Sequence, residues 1–194
     1  MAVPTMDMLT EATGRFTGGD TSVLETEGAK HTIGELVEAL RMTRGKLQGI
    51  VERWSQAQLQ TRPPEGMSSA NGEDSWSATE TVTHMLATQN WYRMNMDRLL
   101  GRRRQYDTMP RGMGDRTDNT VPKAELARRL HAETDAFLAE IAAIPADADL
   151  SAARDSTFFG PLTLRGWLFL ALTHDTMHLA QIERLATYPT FPSA

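Results

Sequence analysis

Cysteine is absent from all 194 residues. That excludes disulfides, thiolate metal sites and a cysteine nucleophile supplied by the chain itself. No apolar run approaches the ~20 residues that a membrane-spanning helix needs. The first ten residues lack a basic start followed by an apolar stretch, so no signal peptide and a cytoplasmic location are expected. Positive charge is not in excess either: 20 Lys+Arg stand against 25 Asp+Glu, a net charge of −5. That balance argues against a nucleic-acid partner held by bulk electrostatics. Val and Ile are sparse and period-two alternation is missing, so no strand is expected.

What is present is helical periodicity. Residues 1–31 are rich in Gly, Thr and acidic groups and read as an irregular N-terminal arm, either a loosely packed terminus or a lid or dimer arm. Thr32 with Glu35 forms a capping box. Ile33, Leu36, Val37, Leu40, Leu47, Ile50, Val51 and Trp54 then follow helical spacing, until Pro63 and Pro64 end the segment. After a polar loop, Ser77 with Glu80 opens a second helix that reaches about Leu100, with Gly101 just past its end. Residues 102–119 read as irregular. Thr120 and Pro122 start a third helix, whose inner face is Leu126, Leu130, Phe137, Leu138 and Ile141. A fourth runs from near Thr163 to about Ala186, roughly 34 Å at 1.5 Å per residue. The expected fold class is all-α: a four-helix bundle with long connecting loops over residues 32–188, then a tail at 189–194.

Histidine placement carries the chemistry. His174 and His178 lie four residues apart on the fourth helix, one above the other on the face that carries Trp167, Ala171 and Leu185. Two imidazoles so placed chelate one metal ion, or else each needs a hydrogen-bond partner at the core edge. His84, two turns into the second helix, completes three nitrogen ligands from two helices. Three protein ligands leave an open position for water or substrate, the pattern of a catalytic rather than a structural site. His31 and His131 fit no such arrangement. Imidazole ligands suit zinc, nickel, copper and iron, and availability decides among them; zinc or nickel is expected first, with iron as a further candidate.

Two segments resemble those of DinB-like proteins. One is Trp76-Ser77-Ala78-Thr79-Glu80 followed by His84. The other is His174-Asp175-Thr176-Met177-His178-Leu179-Ala180-Gln181-Ile182. Their order and separation also agree, and the resemblance covers roughly Thr32 to Ala186. It implies a four-helix bundle with a divalent ion on His84, His174 and His178. It further implies kinship with S-transferases that use a low-molecular-weight thiol such as bacillithiol, with a mycothiol-dependent isomerase, and with proteins that often form homodimers. The long N-terminal arm and the insert before Trp76 depart from the family pattern.

An open three-histidine site suits two reactions. A metal ion can acidify a thiol cosubstrate, whose sulfur then attacks an electrophile. It can equally activate water for hydrolysis, which calls for a carboxylate base close by. Asp175 points about 100° away from His174 around the helix, and Glu80 is expected to serve its capping box, so the thiol reaction is favoured. A stress-response or binding module with a metal site and no turnover is the third reading. Gln181, one turn beyond His178, is a candidate for substrate or for packing on a loop. Trp91, Phe158 and Phe159 are candidates for an apolar substrate wall or for core. Arg102, Arg103 and Arg104 suit an anionic cosubstrate or a solvated helix end.

Overall fold

Helix starts in this chain are written by short polar side chains. In the computed structural model, which describes residues 2–66, 72–102, 117–156 and 158–193, Thr32 opens helix α3 (Ile33–Arg53). Its hydroxyl accepts from the Glu35 N–H at 3.2 Å, and Glu35 accepts from the Thr32 N–H at 2.8 Å. Ser77 and Glu80 repeat the device ahead of α5 (Ala78–Leu99). Thr163 caps α7 (Leu164–Leu185), and Pro122 precedes α6 (Lys123–Ala142). Such caps satisfy amide donors that have no partner within the helix. Past the end of α5, Gly101 takes φ +65°, where a side chain would be strained.

The four long helices follow the expected boundaries, except that the first is broken. Trp54 turns extended, and Ser55 with Gln58 forms a third capping box that starts α4 (Gln56–Gln60). Helix α3 packs on α6 and α7, and α5 packs on the same two. Leu36, Leu40, Leu47 and Val51 of α3 join Val82 and Met85 of α5, Leu126 and Leu130 of α6, and Leu168, Leu172 and Ile182 of α7 in the buried core.

Two expectations are corrected. Residues 1–31 are not an irregular arm: Met6–Thr17 is α1 and Ser22–Gly28 is α2. Burial of Leu9, Ala12, Val23 and Leu24 offsets the roughly 1 kcal/mol that a mid-helix glycine such as Gly14 costs. Both helices pack on α7. Gly28 is needed there, because a Cβ would stand 2.9 Å from the Arg165 carbonyl oxygen. At Gly166 a Cβ would displace the Glu25 carboxylate. That carboxylate accepts from the Thr163 N–H at 3.0 Å and its hydroxyl at 2.8 Å, fixing the start of α7. Strand is also present: β1 (Ala153–Ser156) pairs antiparallel with β2 (Gly160–Thr163), turning at Gly160 with φ +74°. Each strand has four residues and β1 is largely exposed, so no alternation announces it. Among the described residues, no helix is long and apolar enough to cross a membrane. Arg103, Arg104 and most of the irregular stretch 102–119 lie outside the described residues. Arg102 sits at a helix end and donates to the Ala143 carbonyl at 3.0 Å.

Candidate metal centre

His174 and His178 project from one face of α7 toward α5, where His84 meets them. The Nε2 atoms of His84 and His178 each lie 3.2 Å from Nε2 of His174. All three ligand atoms fall within 4.8 Å of one another. Zinc held by imidazoles at ~2.0–2.1 Å in tetrahedral geometry sets ligand nitrogens ~3.3–3.4 Å apart, close to this spacing.

Hydrogen bonding fixes one of the lone pairs. The Gln181 Nε2 group donates to the Glu73 carbonyl at 2.5 Å, so Oε1 is the end that faces His178 Nδ1 at 2.7 Å. His178 therefore carries its proton on Nδ1 and turns the Nε2 lone pair inward. His174 Nε2 has one proton at most and two nitrogen neighbours. A cation satisfies all three nitrogens, whereas the imidazoles alone do not, so the residues fit a divalent metal ion.

Electrostatics point the same way. Burial, then the neighbouring His178, lowers His84 to about 3. Burial lowers His178 to about 4 against the opposing bond from Gln181. Burial and the other two rings take His174 well below its ordinary value. The rings are neutral near pH 7, the form in which imidazole binds metal. Trp76 lies 4.8 Å from His84 and 6.3 Å from His178 between ring centroids, and Tyr92 stands edge-on to His174 at 5.9 Å. Half-buried His174, Thr88 and Met177 mark the more open side. There the Thr88 hydroxyl is 3.3 Å from His84 Nε2.

The remaining site candidates divide. Gln181 is in place, but its amide is engaged by His178 and by the loop. Trp91 lies two turns from His84, ~10 Å along the helix. Its ring meets Trp167 at 4.9 Å, Tyr92 at 5.6 Å and Phe159 at 6.0 Å. Tyr92 thus links this aromatic cluster to His174. Phe158 is 75 % exposed at the hairpin turn. Glu80 serves its cap and is bound by Arg62. Burial pushes its carboxyl up, but these bonds prevail and hold it below its ordinary value. His31 and His131 stay apart from the centre, as expected. His31 is buried with Nδ1 3.1 Å from the Ala2 carbonyl, and His131 meets Glu52 at 3.0 Å.

The sequence reading missed Arg44. Asp175, next to His174, faces α3, where Arg44 Nε and a terminal nitrogen reach its two carboxylate oxygens at 2.5 and 3.1 Å. The side chains are 3 % and 1 % exposed. Burial pushes the Asp175 carboxyl up and Arg44 pulls it back. A signal existed: Arg44 interrupts the apolar stripe of Leu40, Leu47 and Val51, and a charge on a buried face needs a partner.

A family model described as the DinB superfamily matches residues 39–182, a span that contains His84, His174, His178 and Gln181. Comparison with curated proteins and with solved structures found no match.

Proposed function

The chain belongs to the DinB superfamily, and on that premise we propose that it is a metal-dependent S-transferase built on a four-helix bundle of α3, α5, α6 and α7. His84, His174 and His178 hold one divalent ion, zinc or nickel first and iron as a further candidate. The observation that carries this reading is the convergence of neutral Nε2 atoms 3.2 Å apart on a partly open side of the protein. The bound ion supplies the Lewis acidity that lets a low-molecular-weight thiol act as a nucleophile near neutral pH.

The chain's own residues do the rest. Gln181 keeps the His178 proton on Nδ1. Trp76 and Tyr92 pack against the rings and exclude water from behind them. Trp91, Phe158 and Phe159 are the candidates for an apolar wall that receives the electrophile. The nucleophile comes from outside, because the chain has no cysteine.

A screen of electrophiles with metal-loaded protein, with and without 2-mercaptoethanol, tests this reading. Conversion above background is expected only when both metal and thiol are present, and it is expected to vanish in His84→Ala. Turnover that persists without thiol would support hydrolysis instead. Metal retention with no turnover under either condition would support a binding module.

A further inference from the structure

A threonine inside a helix commonly turns its hydroxyl back to a carbonyl about one turn earlier. On the helices that carry the histidines, Thr81 and Thr83 donate to the carbonyls of Ser77 and Thr79 at 2.8 and 3.0 Å. Thr173 and Thr176 donate to those of Leu170 and Leu172 at 3.0 and 2.8 Å. Thr88 departs from this habit. It lies four residues after His84 on the same face of α5. Its hydroxyl faces the His84 Nε2 at 3.3 Å, and among the described residues no other polar group engages it.

A cation on the three Nε2 atoms uses the lone pair of His84, so the Thr88 hydroxyl loses the acceptor that it faces. It then offers its proton on the open side of the centre, where it is half-buried. The 3.3 Å from its oxygen to the ring nitrogen matches the ~3.3–3.4 Å between neighbouring ligand atoms of a tetrahedral zinc site. The oxygen therefore borders the coordination shell that an outside ligand completes. Met177, also half-buried on that side, carries a thioether, which accepts weakly and donates nothing.

We propose that Thr88 is a substrate-binding residue of the centre, its hydroxyl donating to the sulfur of the thiol that takes the open position. The inference rests on the S-transferase reading and names the residue that recognises its nucleophile. A hydrogen bond donated to the sulfur favours the thiolate over the thiol. The thiol gives its proton to solvent as it binds, and the Thr88 proton stays on its own oxygen throughout.

Titration of cobalt-loaded protein with 2-mercaptoethanol reads this contact, because a thiolate on cobalt absorbs in the near ultraviolet. Thr88→Val keeps the side-chain shape and removes the hydroxyl, whereas Thr88→Ser keeps the hydroxyl. Thr88→Val is expected to bind the thiol about tenfold more weakly than wild type, the scale of one hydrogen bond to a charged acceptor. Thr88→Ser is expected to bind it like wild type, and all three proteins are expected to hold the same amount of cobalt. Equal thiol affinity in wild type and Thr88→Val would overturn the role of Thr88 and leave the S-transferase reading intact. A Thr88→Ser protein as weak as Thr88→Val would also overturn it, since shape rather than the hydroxyl would then matter. Loss of cobalt from Thr88→Val alone would make Thr88 a ligand of the ion and overturn it equally. A cobalt-loaded wild type that develops no sulfur absorption removes the thiol reading and Thr88 together.

Discussion

Arg44→Met is expected to destabilise the fold by about 3–5 kcal/mol, the cost typical of removing one partner from a buried ion pair. Asp175 is 1 % exposed and would keep its burial while losing both guanidinium bonds. Helix α3 would also lose its polar tie to α7, the helix that carries two of the three histidines. The double variant Arg44→Met/Asp175→Leu is expected to recover most of the loss, since replacing a whole buried pair with apolar groups is often neutral. Urea denaturation of both variants checks this through the shift in midpoint at constant slope. A single variant within about 0.5 kcal/mol of wild type, the range of ordinary surface changes, would contradict the account.

Acid is expected to weaken the metal-free protein well before the carboxyls held low, such as Glu80, titrate. The unfolded chain carries histidines with pKa near ~6.5. In the folded chain His84 sits at about 3, His178 at about 4, and His174 well below its ordinary value. As pH falls from ~6.5, the unfolded state therefore takes up protons that the folded state refuses, and stability is lost by up to about 1.4 kcal/mol per pH unit for each histidine. Their stabilising contribution is fully present above the unfolded value and disappears as pH drops toward the folded values. Carboxyls held low, such as Glu80, add their losses only at lower pH. Raised carboxyls, Glu73 and Asp175, work in the opposite sense. The comparison is therefore made against His84→Ala, whose stability is expected to fall less steeply between pH 6.5 and 5. Parallel profiles for the two proteins would contradict the buried, neutral state of His84.

The site was more legible in the sequence than its surroundings. His174 and His178 share a helical face by spacing alone, and the capping boxes at Thr32 and Ser77 give helix starts to the residue. The break after Arg53 was also written, since Ser55 and Gln58 form a box of the same kind. Helices α1 and α2 were hidden by their glycines, whose local cost is offset only by packing on α7. The β1–β2 hairpin is too short for periodicity. Arg44 and Asp175 lie 131 residues apart, and Gln181 and Glu73 lie 108 apart. Pairings of that range depend on how the helices assemble, which local spacing does not encode.

The central claim is that three histidines bind one cation. Elemental mass spectrometry on protein carrying no polyhistidine tag, beside the His174→Ala/His178→Ala variant, tests it most directly. The account predicts about one divalent ion per wild-type chain and none in the variant, since an open site depends on all three protein ligands. A wild-type protein that holds no metal, and takes up none when offered zinc, nickel or iron, would contradict it.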